Sequence, residues 1–182
     1  MAECIHLCFL RDDRMLLTRI LPILFASILA SCADVPEQPA PPPPTVVELT
    51  LNSTASINPD ADGKASPVVL RIYELREQSG FNGADFFAIF DKEQATLGAD
   101  LVRKQELVLK PGENKTLRIE PAADTRILGF FAAFRKLDNA GWRTLTELKA
   151  HQNNAVVLKL DANALTVTNT PTEPPPPAPK ED

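Results

Sequence analysis

The sequence predicts an all-β fold, a two-sheet antiparallel β-sandwich of about eight strands, in one domain over residues 45–170. Three observations predict it. Apolar and polar residues alternate with period two across most of this stretch, as they do in strands with one buried face. The segments between these runs are short for the most part and rich in Pro, Gly, Asp and Asn, the residues of tight turns. The 17 prolines of the 182-residue chain concentrate outside the domain, six between Pro36 and Pro44 and six between Pro171 and Pro179. Residues 32–44 therefore read as an extended linker and residues 171–182 as a Pro-rich disordered tail.

Each element follows from its own residues. Val47, Leu49 and Leu51 alternate with Glu48, Thr50 and Asn52; Val68, Leu70 and Ile72 alternate with Val69, Arg71 and Tyr73. After the second strand the period changes, because Phe86, Phe87, Ile89 and Phe90 recur at helical spacing, and Asp91 with Gln94 has the form of a capping box. One or two short helices are expected here, lying over an open end or edge of the sandwich; an aromatic patch for a partner is the alternative. Leu107, Val108 and Leu109 run into Lys110-Pro111-Gly112-Glu113 before Thr116 resumes the alternation, which reads as a hairpin. Leu117 and Ile119 continue it. Residues 127–134 are almost wholly apolar and predict a central strand. Asp138-Asn139-Ala140-Gly141 then turns the chain into residues 142–148, and Val156, Leu158 and Leu160 pass through Asp161-Ala162-Asn163 to Leu165 and Val167.

The chemistry available to this domain is narrow. Residues 45–170 carry fifteen Lys/Arg and sixteen Asp/Glu, so they lack the cationic field of a general nucleic-acid binder. The histidines are His6 and His151 and the cysteines Cys4, Cys8 and Cys32, which leaves no zinc-type ligand set and no Cys/His pair within the domain. His151, beside Gln152-Asn153-Asn154, reads as a solvated turn residue. Asp85, Asp91 and Glu93 have the spacing of ordinary helix-surface charges. Asn58-Pro59-Asp60-Ala61-Asp62-Gly63 matches the start of an EF-hand loop, but Val69 stands where the twelfth-position glutamate belongs, so a polar loop is expected and not a calcium site. No enzyme activity and no cofactor are expected.

The N-terminus reads as an export signal. Arg11, Arg14 and Arg19 precede the apolar run 20–29, which is too short to span a bilayer comfortably. Leu29-Ala30-Ser31-Cys32 resembles the bacterial lipobox, in which signal peptidase II recognises residues such as Leu29, Ala30 and Ser31 and cleaves before the lipidated cysteine. An ordinary cleaved signal or a membrane anchor is the alternative. Residues 1–31 would then be removed, and Cys32 would be the first mature residue, its sulfur occupied by lipid. With Cys4 and Cys8 gone, no thiol would remain for a disulfide. Met15-Leu16-Leu17-Thr18-Arg19 begins a conventional signal, and Met15 is the expected start of translation.

The stretch from Asn58 through Lys64 to Leu75 resembles the type VI secretion system outer-membrane lipoprotein family (TssJ, SciN or VasD). Ala84-Asp85-Phe86, Leu109-Lys110-Pro111-Gly112, Gly129 to Arg135 and Trp142-Arg143 are similar to its later blocks, in the same order. The resemblance implies a transthyretin-like sandwich anchored in the outer membrane and facing the periplasm. It also implies a partner, the periplasmic C-terminal region of the IcmF-like inner-membrane component (TssM), and through it the smaller inner-membrane component (TssL). By position the family's contact loop falls on Ser56, Asn58, Asp60, Asp62, Gly63 and Lys64. Ala33, not Asp, follows the cysteine, which by resemblance to other lipoproteins favours sorting to the outer membrane. The competing expectation is a periplasm-facing lipoprotein whose sandwich binds a ligand or glycan or inhibits an enzyme; an exposed platform involving Trp142 or Tyr73 would favour it.

Overall fold

The computed structural model describes residues 41–172. The expected signal segment, the Leu29-Ala30-Ser31-Cys32 motif, and most of the expected linker and tail lie outside the described residues. In chain order the elements are β1 (Val46–Ser53), β2 (Val68–Leu75), α1 (Ser79–Gly83), α2 (Phe86–Leu97), a 3-10 turn (Gly98–Asp100), β3 (Leu101–Leu109), β4 (Asn114–Ile119), β5 (Ile127–Ala132), β6 (Arg143–Glu147), β7 (Asn153–Leu160) and β8 (Leu165–Thr172). The strands form two four-stranded sheets, ordered β4-β1-β7-β8 and β3-β2-β5-β6. Every pairing is antiparallel except that of β1 with β7, which is parallel. β8 runs to Thr172, so Pro171 and Thr172 pair with Asn154 and Asn153.

The connections differ from the expected run of hairpins. β5–β6 and β7–β8 are hairpins. β3 and β4 are not, because β3 pairs with β2 and β4 with β1. The turn at Lys110-Pro111-Gly112-Glu113 instead carries the chain across the roughly 10 Å between packed sheets. Such an arch needs the same turn residues as a hairpin, including Gly112 at φ 72°, which only glycine adopts freely. Ser53 at the end of β1 fixes it, its hydroxyl donating to the Lys110 carbonyl (2.6 Å) and accepting from the Glu113 N–H (2.9 Å).

Burial follows the layers. Between the sheets lie Val47, Leu49, Leu51, Leu70, Ile72, Leu128, Phe130, Val156, Leu158 and Leu160. A second core lies on the other face of the β3-β2-β5-β6 sheet, where Tyr73, Leu75, Ile127 and Phe131 pack against Phe81, Ile89 and Leu97 of the helices. The helices therefore cover a sheet face and not an end or edge of the sandwich. This burial on both faces explains the unbroken apolar run of β5, all six residues of which are buried.

The helix cap also lies elsewhere than at Asp91. Asp85 caps α2, its carboxylate accepting from the Ala88 N–H (2.8 Å). Asp91 stands just before a break at Lys92 (φ −133°), where α2 divides into two short helical segments as the capping-box spacing implies, although among the described residues no side-chain cap bond from Asp91 is present.

Candidate functional site

The sandwich has two chemically distinct ends. Residues 41–45 lead into β1 at one, where the Val46 N–H bonds to the Gln152 carbonyl (3.1 Å). His151 helps hold this approach: its Nδ1 lies 2.9 Å from the Pro43 carbonyl and its N–H donates to Thr45 Oγ1. A cleft of about 620 Å³ lies here, its walls including Pro43, Pro44, Arg76, Arg126, Glu147 and His151. The β1–β2 loop, the β3–β4 turn, the β5–β6 loop and the β7–β8 turn meet at the opposite end. An eight-residue strand separates the two by about 26 Å at 3.3 Å per residue.

The β1–β2 loop, residues 54–67, is ordered by its own polar groups. Asp60 forms its inner turn: one carboxylate oxygen accepts from the N–H groups of Asp62 (3.1 Å) and Lys64 (2.9 Å), and its carbonyl accepts from the Gly63 N–H. Gly63 has φ 81°, which suits this reversal. Asn58 ties the loop to its neighbours. Only 3% exposed and in the left-handed region at φ 49°, it donates from Nδ2 to the Pro67 carbonyl (2.7 Å) and accepts at Oδ1 from the Arg135 N–H (2.8 Å). Its own N–H bonds to the Ala162 carbonyl (2.8 Å), and Ile57 beside it is fully buried.

Of the six expected contact residues, Ser56, Asp62, Gly63 and Lys64 are exposed on this loop, and Asp60 is half-buried beneath them. Asn58 presents no side chain to solvent; its place is under the surface, as the joint of the loop. The sequence reading overlooked the β5–β6 loop, which Asn58 joins to the β1–β2 loop and where Arg135 and Lys136 are both exposed. Two adjacent cations directly after an apolar strand were the available signal.

A second cluster of polar groups holds the helical layer. Glu93 of α2 bonds to Lys104 of β3, accepts from the Tyr73 hydroxyl (2.8 Å) and lies 3.4 Å from Arg71 of β2. Arg71 also pairs with Glu106 (2.8 Å), donates to the Phe90 carbonyl (2.9 Å) and stands over the Phe90 ring. Burial opposes the charge on Glu93, but the bonds from Lys104 and Tyr73 and the charge of Arg71 outweigh it and hold the carboxyl below its ordinary pKa. Burial, and then the bond to Glu93, raises the Tyr73 phenol. Arg143, whose pKa burial lowers, donates to the Phe81 and Ala84 carbonyls and stacks on Trp142.

Tyr73 is fully buried and Trp142 half-buried between Phe86 and Phe131, so neither forms an open platform. Phe87 and Phe90 are the exposed aromatic rings of α2. Among the described residues no group of three or more His, Cys, Asp or Glu side chains could hold a metal ion, and Asp60 spends its carboxylate on backbone N–H groups.

Two packed four-stranded sheets with a helical layer on one face and an ordered polar loop surface at one end place the chain among the β-sandwich domains. Residues 45–163 match the type VI secretion lipoprotein family (VasD, EvfM, TssJ), and the chain belongs to that family. It is similar to the T6SS lipoprotein TssJ1 from Pseudomonas aeruginosa, at 39% identity and a TM-score of 0.69 over 71% of this chain and 99% of that one. Two further structures share the fold. Serratia marcescens Lip, a membrane-bound component of the type VI secretion system, aligns at 22% identity and TM-score 0.62 over 68% of this chain and 96% of that one. A chain from the structure described as the T6SS protein TssM C-terminal domain from EAEC aligns at 23% identity and TM-score 0.57 over 68% and 97%. No curated protein matches.

Proposed function

We propose that this chain is lipidated on Cys32, sits in the outer membrane facing the periplasm, and docks the periplasmic C-terminal region of the IcmF-like component (TssM), thereby linking the outer membrane to TssM and indirectly to TssL. It acts as a structural component, without catalysis and with no cofactor beyond the lipid. Membership of the type VI secretion lipoprotein family supports the role. The single observation that carries the contact site is geometric: the ordered polar loop stands at the end of the sandwich opposite residues 41–45. A domain tethered through those residues would present Ser56, Asp62, Gly63 and Lys64 away from its tether. Each lipid methylene buried in the membrane contributes about 0.8 kcal/mol, so two or three chains make an anchor that resists extraction.

Binding of a soluble form, residues 33–182, to the purified periplasmic region of the cognate TssM tests the reading. Specific binding weakened by Asp60→Ala/Asp62→Ala/Lys64→Ala, with circular dichroism unchanged, is the expected result. Binding indifferent to the loop would move the site elsewhere on the domain. Absence of binding by a folded protein would favour the ligand-binding or inhibitory lipoprotein. A Cys32→Ser variant that still fractionates with the outer membrane and supports secretion would overturn the anchoring role.

A further inference from the structure

We infer that the docking surface is a composite of loops, in which Arg135 and Lys136 of the β5–β6 loop are contact residues for carboxylates on the partner and Asn58 is the positioning residue that holds them in register with the β1–β2 loop. The inference rests on the docking role proposed above and extends its surface.

Three observations carry it. The first is connectivity. The Asn58 side chain spans Pro67 of its own loop and the Arg135 N–H of the next, while its main chain reaches Ala162 of the β7–β8 turn. The Gly141 N–H bonds to the Asn163 carbonyl (2.9 Å) and the Leu165 N–H to the Gly141 carbonyl (2.9 Å), which locks the β5–β6 loop to that same turn. The Gly112 N–H bonds to the Thr54 carbonyl (3.1 Å), adding the β3–β4 turn. The loops at this end are thus one hydrogen-bonded unit. A partner that reaches Asp62 or Lys64 meets a surface in which the position of Arg135 is already set.

The second is charge. Among the described residues, Lys64, Lys110, Lys115, Arg135 and Lys136 at this end make no ion pair; Lys92, Arg126, Arg143 and Lys149 elsewhere make none either, and Lys159 beside the β7–β8 turn pairs with Asp161 (3.1 Å). What singles out Arg135 and Lys136 is that they are adjacent, exposed and on one loop. Surface cations left unpaired at one end cost little in water and gain when a carboxylate docks on them. Arginine in particular can hold a carboxylate through two parallel N–H bonds.

The third is burial. Asn58 is a polar side chain almost without solvent exposure, satisfied on both its donor and acceptor sides by groups from two different loops. A loop that served only to cover the core could close with apolar contacts, as Ile57 does one residue earlier. The buried amide specifies a geometry between the loops, and ordering them before binding removes part of the entropic cost of association.

The test compares four variants of the full lipidated chain, three separate and one a combination of two of them, purified in detergent, for binding to the cognate full-length TssM in detergent at two salt concentrations. Arg135→Glu/Lys136→Glu is expected to weaken binding about tenfold or more and to flatten its salt dependence, with the thermal melt unchanged. Asp62→Ala/Lys64→Ala reports on the β1–β2 loop. Asn58→Gly keeps the left-handed backbone accessible while deleting the bridge; it is expected to weaken binding severalfold in the wild type but to have little further effect in the Arg135→Glu/Lys136→Glu background. Strictly additive losses would overturn the positioning role of Asn58. Wild-type affinity in Arg135→Glu/Lys136→Glu, with binding lost in Asp62→Ala/Lys64→Ala, would overturn the composite surface and leave the docking role standing. A wild-type chain that did not bind TssM would remove the docking role and the composite together.

Discussion

The two sheets share one core and yet solve different problems. The β4-β1-β7-β8 sheet buries one face, so β7 alternates buried and exposed residues along its length, with Val156, Leu158 and Leu160 inside and Ala155, Val157 and Lys159 outside. The β3-β2-β5-β6 sheet buries both faces, and β5 accordingly reads Ile-Leu-Gly-Phe-Phe-Ala with no solvent side. The difference teaches what each outer face is for. One is an ordinary solvated surface, whereas the other is a second core that must hold helices in place and does so with aromatic rings and a partly buried cluster of charges at its margin.

The comparison is tested most severely by Phe131→Ala. Phe131 lies on the outer face of β5 with ring centroids 4.9 Å from Phe86, 5.5 Å from Trp142 and 6.2 Å from Phe90. If the outer face is a true core, deleting the ring should cost about 3–5 kcal/mol, as for any fully buried phenylalanine. Urea unfolding followed by Trp142 fluorescence measures it. A loss under about 1 kcal/mol would mean that the helices rest loosely on the sheet.

Gly129→Ala probes the same face at its tightest point. A Cβ there would stand 3.1 Å from both Leu75 Cδ1 and Phe81 Cζ, closer than side chains ordinarily approach. Leu75 and Phe81 must each give by a few tenths of an ångström in a packed core, at an expected cost of about 1–3 kcal/mol in the melting equilibrium. This glycine is needed for close packing and not for its backbone angle.

Much of this division was legible in the residues. The continuous run of β5 marked a central strand, and the alternation of β1 and β7 marked strands with one wet face. What period could not supply was which strand each turn led to: Lys110 to Glu113 satisfies an arch between sheets as readily as a hairpin, because both demand a reversal within four residues. The helices were legible from Phe86, Ile89 and Phe90, but their resting place depended on Tyr73 and Phe131, whose side of the sheet is decided by register. At the candidate site, the loop was visible as a polar interruption between β1 and β2. The burial of Asn58 was not, since nothing local distinguishes an asparagine bonded to solvent from one bonded to Arg135, 77 residues away.

The charged part of the outer face makes a pH prediction. Glu93 has a folded pKa below its ordinary value of about 4.3, so its ionised form favours folding. That contribution is present above about pH 5 and is lost as pH falls through the lowered folded value. Glu93→Gln should therefore destabilise by about 1–2 kcal/mol near neutrality, since it removes charge-assisted bonds from Lys104 and Tyr73. The gap between wild type and variant in denaturant midpoint should narrow progressively below pH 4. A gap that stayed constant with pH would assign the loss to packing alone.

The smallest effect is expected on the other sheet, and it completes the contrast. Val157 stands on the outer face of β7, 38% exposed, between Thr50 of β1 and Thr168 of β8. A threonine there keeps the β-branched shape that suits a strand and adds a hydroxyl that water can satisfy, so Val157→Thr should change stability by no more than about 0.5 kcal/mol. The equivalent exchange of a buried valine, such as Val68→Thr, would bury that hydroxyl and cost more. Melting both variants beside the wild type measures the asymmetry. A large loss at Val157 would mean that this face is covered in solution, and that the sheet assigned one core has two.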